Sequence, residues 1–186
     1  YPLQRLKPSA QARSPHILWI VVDSLRADML TPDVMPNVSR LAEKSQVFLN
    51  HYSNSNSTRH GVFGLFYGIP GSYFEATLHS QTPPVFMRAL NEVGYQFLVY
   101  SNAPLTKPEF DRTIFAEIAD LRKHSQSETV YGRDIEITQA YLEAILKNDW
   151  SRPTFSFLFY DAPHGYSYPP DYKKPFPVES DHFSYM

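Results

Sequence analysis

The order of elements in this 186-residue chain predicts an α/β fold, with helices on both faces of a mostly parallel sheet. Two observations carry that prediction. Runs of branched and aromatic residues alternate with helical segments, in the order strand, helix, strand, helix, strand, helix, strand. The first run, residues 16–22, is apolar after His16, as in a central parallel strand buried on both faces. A hydrophobic content of 42% with only 19% charged residues supplies material for such a core and is not that of a disordered chain.

Each element has its own justification. Residues 1–15 hold three prolines and no hydrophobic period, and read as a tether arriving from an upstream segment. The strand at 16–22 stops at Asp23. Pro36-Asn37 then introduces a short amphipathic helix over Val38 to Lys44. Residues 46–52 read as the next strand, 53–60 as a polar loop, and 61–67 as a buried helix. Thr82-Pro83-Pro84 opens a helix over residues 85–92 that stops at Gly94, and residues 96–100 form a strand. Residues 134–147 form the longest helix, because Ile135, Thr138, Tyr141, Leu142 and Ile145 share a face. Residues 154–160 are the last strand, ending at Asp161-Ala-Pro-His164. The Pro- and Tyr-rich tail from Tyr166 to Met186 has no period.

Charge and composition exclude several functions. Lys+Arg 17 against Asp+Glu 19 gives a net charge of -2, without the basic excess of a nucleic-acid binder. The absence of cysteine excludes disulfides, thiolate metal sites and a Cys nucleophile within these residues. The six-residue apolar run from Ile17 to Val22 is far short of the roughly 20 residues that cross a bilayer. The chain opens on Tyr1 rather than Met and is expected to be a piece of a longer protein.

In an open α/β sheet, ligands gather at the carboxyl ends of the strands. Asp23, Thr58 and His164 fall at that edge. A carboxylate at Asp23 can hold a divalent cation, with oxygen ligands suiting magnesium or manganese and an added imidazole favouring zinc; it can equally cap the next turn. Thr58 lies near a helix N-terminus, where backbone N–H groups favour a phosphate. Its hydroxyl becomes a nucleophile only with a base or a metal beside it, and a Ser/Thr/Asn tract is otherwise a plain loop. His164 can donate to a substrate oxygen or sit on the surface, and Asp161 can orient its imidazole or be an ordinary turn residue. Arg59 can clamp an anionic ester or pair with a surface carboxylate. Asp181-His182 has the chemistry of metal ligands but no strand before it, and reads as a solvated loop. Tyr166, Tyr168, Tyr172 and Phe176 mark an interface, or a flap packed on its own domain.

Three motifs occur in order. They are Val21-Val-Asp-Ser-Leu-Arg-Ala-Asp28, Met35-Pro-Asn-Val-Ser-Arg-Leu-Ala42 and Phe48-Leu-Asn-His-Tyr-Ser-Asn-Ser-Asn-Ser-Thr58. Together they resemble the opening of the sulfatase/alkaline-phosphatase superfamily, near lipoteichoic acid synthases and phosphoethanolamine transferases. Ser57-Thr-Arg-His-Gly-Val-Phe-Gly-Leu-Phe-Tyr67 and Asp161-Ala-Pro-His-Gly-Tyr-Ser-Tyr-Pro169 resemble the YejM/PbgA family of Gram-negative inner-membrane proteins.

The resemblance implies an α/β/α sandwich of the alkaline-phosphatase type, with residues 16–186 as its N-terminal part and 1–15 as the tether from a membrane segment. It implies that Asp23 and Thr58 touch a divalent metal (magnesium, manganese or zinc), that Thr58 is the nucleophile, and that His164 meets the substrate, beside which Arg59 would be the anion clamp of an enzyme. The remaining metal ligands are expected downstream of residue 186. Such a half-domain is expected to leave a sheet edge and an apolar face uncovered. Sulfatases carry consecutive Asp ligands and a Cys or Ser converted to formylglycine. Here Ser24 follows Asp23 and Thr58 holds the nucleophile position, so phosphoryl chemistry is the closer analogy.

The function implied is that of a periplasmic domain of an inner-membrane protein in lipopolysaccharide and outer-membrane lipid homeostasis. It would act mainly as a lipid-sensing or partner-binding regulatory module with weak metal-dependent phosphatase activity. The alternative is an active phosphoesterase or phospholipid head-group transferase using Thr58. The partners implied are phospholipid or lipopolysaccharide, the membrane through N-terminal helices, and a regulatory membrane protein, with no nucleic acid.

Overall fold

A computed structural model describes residues 13–119, 121–122 and 125–172. Strand β1 (Ile17–Val22) is followed by helix α1 (Pro36–Ala42), with Pro36 in its first turn, and by α2 (Thr58–Tyr67). Helices α3 (Phe74–Ser80) and α4 (Val85–Glu92) lead into β2 (Gln96–Ser101). Helix α5 (Val130–Lys147) and strand β3 (Thr154–Tyr160) complete the described order.

The three strands form a parallel sheet in the order β1-β3-β2. Its register sets Val22 opposite Tyr160 and Ser101 opposite Phe159, so all three strands end at one edge. Two backbone bonds carry the pairing one residue further. Asp23 N–H donates to the Tyr160 carbonyl and Asn102 N–H to the Phe159 carbonyl, each at 2.9 Å. The α/β fold expected from the alternation is the one observed.

Side-chain alternation sorts the core. On one face, Trp19 stacks on Phe86 of α4 with centroids 5.2 Å apart and meets Phe66 of α2 at 5.0 Å. Phe155, Phe157 and Phe159 of β3 join the same layer and are essentially inaccessible. Each buried Phe contributes about 1.5–3 kcal/mol of transfer free energy. On the other face, α5 lies over β2 and β3. Its Tyr141 ring contacts Tyr100, and its Thr138 hydroxyl shares a 2.9 Å hydrogen bond with the Tyr160 hydroxyl.

Strand β3 is therefore the strand buried on both faces, and β1 is not. Leu18 and Ile20, on the α5 side of β1, remain 48% and 58% exposed, because α5 does not reach them. Among the described residues, β1 has one partner strand and an open outer edge. An uncovered apolar face is thus present, as expected.

Residues 46–52 are not a strand. Val47, Phe48 and Leu49 are consecutive apolar side chains, so an extended chain here would need cover on both faces. No described layer supplies it, and Phe48 and Leu49 stay 70% and 89% exposed. Helix α5 begins four residues earlier than its periodicity indicates. Thr129 caps it by accepting a 3.2 Å hydrogen bond from Gly132 N–H, and this cap outweighs the glycine in the first turn. Helix α2 likewise starts at Thr58 rather than Gly61, and ends at Gly68, whose φ of 65° suits glycine. Among the described residues, no helix is long and apolar enough to cross a membrane.

Candidate functional site

The carboxyl edge of the sheet carries the polar groups. Asp23 leaves β1 and stays beside β3 through its backbone bond to Tyr160. Ser24 then takes φ 58°, in the left-handed region that non-glycine residues seldom occupy, and its N–H donates to Asp23 Oδ1 at 2.9 Å. This sharp turn keeps the Asp23 carboxylate at the strand end.

Thr58 reaches the same place from α2. Its Oγ1–H donates to Asp23 Oδ2 at 2.8 Å, across 35 residues of sequence. The loop before it is tied by its own hydroxyls: Ser53 Oγ donates to the Ser55 carbonyl at 2.8 Å, and Ser57 N–H to Ser55 Oγ at 3.2 Å. Two glycines let this loop lie against the helix. A Cβ at Gly64 would stand 2.0 Å from Asn54 Nδ2 and 2.8 Å from Asn54 Cβ, and one at Gly61 would stand 3.1 Å from Ser53 Oγ.

His164 enters from the turn after β3. Its Nδ1 lies 3.3 Å from Asp23 Oδ2 and 3.2 Å from Ser24 Oγ. The Asp23 side chain is largely covered, whereas His164 is open to solvent. Asp161 completes the cluster: ligand-capable atoms of Asp23, Asp161 and His164 all lie within 4.8 Å of one another. Burial raises the Asp161 carboxyl to about 6; the Asp23 charge and, more weakly, Asp134 push the same way, and His164 opposes them. The sheet edge thus brings together Asp23, Thr58 and His164, all named from the sequence, along a cleft of about 650 Å³.

Arg59 is not brought there. One residue along the helix from Thr58, its guanidinium turns to Glu109 at 2.9 Å and lies over the Phe74 ring at 5.2 Å. Of the two sequence readings, the carboxylate pairing is the one observed. Tyr168 and Tyr172 pack together with centroids 5.8 Å apart. Asp181, His182 and Phe176 lie outside the described residues.

In sequence, Asp161 reads as a partner for His164 or as an ordinary turn residue, and its place in a candidate ligand cluster emerges from the structure. The signal was present, because Asp161 is the first residue after an apolar strand, as Asp23 is. The cluster fits a divalent cation. Two carboxylates, a hydroxyl and an imidazole are hard to borderline donors. Ligand atoms around one small cation stand about 3–4 Å apart, compatible with the observed cluster. Asp161 is raised chiefly by burial and next by the facing Asp23 charge, and a cation between the carboxylates would offset that second part.

A family model described as sulfatase matches residues 15–185. The inner membrane protein YejM of Salmonella typhimurium is 31% identical over 128 residues, which is 69% of this chain and 22% of the relative. YejM of Salmonella typhi matches to the same extent. A protein of Haemophilus influenzae described as uncharacterized is 33% identical over 118 residues, 63% of this chain and 20% of the relative. The chain thus spans about a fifth of the length of these curated relatives. With a match over residues 15–185, and with Asp23, Thr58 and His164 converging at one sheet edge, the chain belongs to the sulfatase family.

Proposed function

We propose that this domain binds a phosphate-bearing lipid at a divalent-metal centre and acts chiefly as a regulatory, lipid-sensing module of an inner-membrane protein, with slow metal-dependent phosphoester hydrolysis. The observation that carries the regulatory emphasis is the engagement of Arg59 by Glu109, which leaves no Arg or Lys among the described residues lining the cleft. Apart from the bound cation, charge developing on a transferring phosphoryl group would then meet only the N-terminal amides of α2 and His164, a weak set for fast turnover. Exposed Tyr52, with Leu25 and Leu65 along the same cleft, offers apolar surface to a lipid. The inner-membrane relatives support that setting, and the periplasmic side and a part in lipopolysaccharide homeostasis belong to this proposal.

Asp23 and Asp161, with the Thr58 hydroxyl, would hold the cation, of which manganese, magnesium and zinc all suit the donors. When bound, it would supply Lewis-acid polarisation of a phosphoryl oxygen and lower the proton affinity of a nearby hydroxyl. The chain's own residues do the rest. Thr58 Oγ forms the bond to phosphorus as the ester P–O bond breaks, and its proton passes to Asp23 Oδ2, the acceptor it already faces. Protonated His164 gives a proton to the departing oxygen, and water then cleaves the phosphothreonine.

The Thr58–Asp23 hydrogen bond itself favours a second reading, a full phosphoesterase or phospholipid head-group transferase. The experiment measures hydrolysis of a chromogenic phosphomonoester by the intact protein with manganese, magnesium or zinc, wild type beside Thr58→Ala, and lipid binding in parallel. Slow turnover that needs metal and Thr58, together with retention on anionic phospholipid or lipopolysaccharide vesicles, is the expected result. Fast turnover on a phospholipid favours the second reading. Folded protein that neither turns over nor binds lipid with any metal refutes both.

A further inference from the structure

We infer that Asp134 is a positioning residue, which clamps the turn carrying Asp161 and His164 so that both meet Asp23. The inference rests on the reading of Asp161 and His164 as parts of the metal and substrate site. Asp134 stands in the second turn of α5, beyond the first-turn amides that a capping carboxylate would serve. Its carboxylate reaches across to the end of β3. Oδ1 accepts from Asp161 N–H and Oδ2 from Ala162 N–H, both at 3.1 Å. Strand pairing ends at Tyr160, so these two amides lie past the ladder and the carboxylate meets both.

Asp134 is itself held. Asn102, the first residue after β2, is 1% exposed and donates through Nδ2 to Asp134 Oδ1 and to the Val130 carbonyl. Its Oδ1 accepts from Arg133 Nε at 2.9 Å. The same helix grips the turn again at its far end, where Tyr131 N–H donates to Ser167 Oγ at 3.2 Å. Inside the turn, His164 N–H donates to the Asp161 carbonyl at 3.1 Å and Ser167 N–H to the Ala162 carbonyl at 3.0 Å. A buried Asn at the end of one strand, an Asp on the covering helix and the turn after another strand therefore form one polar unit. Fixing the backbone at Asp161 and Ala162 fixes where the Asp161 carboxylate stands relative to Asp23. Such supporting hydrogen bonds around ligands typically carry about 10–100-fold in metal affinity.

The test uses the intact protein and the metal alone. Mn²⁺ binding is measured by calorimetry, and hydrogen exchange by mass spectrometry over the peptide that spans residues 160–165, for wild type, Asp134→Asn and Thr138→Val. Asp134→Asn replaces one acceptor by an N–H₂ facing an amide. It is expected to weaken Mn²⁺ binding about tenfold or more and to speed exchange in that peptide. Thr138→Val loses a bond between the same helix and the same strand, at the Tyr160 hydroxyl, and a helix back-bond to the Asp134 carbonyl, but leaves the Asp134 carboxylate and its two amides in place, so it reports the cost of structural ties alone. It should lower the melting temperature and leave Mn²⁺ affinity as in wild type. Wild-type affinity and wild-type exchange in Asp134→Asn overturn the inference, as does an equal loss of affinity in Thr138→Val. Wild-type protein that takes up no Mn²⁺ refutes the metal reading and the positioning role with it. Failure of the clamp itself is told apart by the exchange data, which need no metal.

Discussion

Removing the Asp161 charge should change the pH dependence of stability of the metal-free protein in a defined direction. Asp161 is raised from 3.8 to about 6, chiefly because burial strips water from its carboxylate, then because Asp23 faces it, with Asp134 adding and His164 subtracting. A carboxyl raised on folding favours the folded state while protonated. Its contribution is complete below about pH 4 and is lost as pH rises through about 6. Unscreened, the difference amounts to about 3 kcal/mol. The site opens to solvent at His164, and screening there halves it to about 1.5 kcal/mol, or about 4 °C in melting temperature for a chain of this size. Melting curves of metal-free wild type and Asp161→Asn, taken from about pH 3.5 to 8, isolate the effect, since other groups titrate in both. The curves should converge below about pH 4, where Asp161 is protonated folded and unfolded, and Asp161→Asn should be the more stable protein above pH 7. Added Mn²⁺ should reverse that order, because only wild type keeps the full pair of carboxylates. A difference curve that is flat across this range refutes the burial-raised Asp161 carboxyl.

Three further outcomes follow from the packing. Gly64→Ala drives a methyl into Asn54 and should cost about 1–3 kcal/mol, read as a lower melting temperature; Asn54→Gly in the same protein should restore most of it, and no rescue would mean the clash lies elsewhere. Phe155→Ala removes a fully buried ring that touches Trp19, Phe66, Phe86 and Phe97, and should cost about 3–5 kcal/mol in denaturant unfolding. Arg59→Ala loses a half-exposed ion pair and its contact with Phe74, about 1 kcal/mol, and should leave Mn²⁺ uptake and the KM for a phosphomonoester near wild type; a large rise in KM would restore Arg59 as an anion clamp.

The parts of the fold legible in the sequence were those with a local cause. Residues 17–22 and 154–160 are apolar runs too short for helices, and both were readable as parallel strands. Which of them lies in the centre was not, because that depends on where α5 lands. Both strands present apolar side chains to both faces, but α5 covers β2 and β3 and leaves Leu18 and Ile20 open. Residues 46–52 failed for a related reason: a strand exists through its neighbours, and strand-forming residues without a partner remain loop.

The candidate site divides along the same line. Asp23, Thr58 and His164 stood out as polar residues placed where an apolar strand stops or a helix starts, and each reaches the cleft. Asp134 reads in sequence as an ordinary helical acid, and Asn102 as a turn residue. Their roles depend on contacts across 27 and 28 residues from Asp134 to the turn, and 32 from Asn102 to Asp134. These contacts form only once β2 and β3 are adjacent, a pairing that crosses the whole of α5 and that no local pattern encodes. Residues that touch a ligand must carry its chemistry and so betray themselves by type and position. Residues that hold them in place need only donate or accept a hydrogen bond, which most polar side chains can do, so only geometry picks them out. That asymmetry places Asp134, rather than a further catalytic group, as the part of this site hidden from sequence reading.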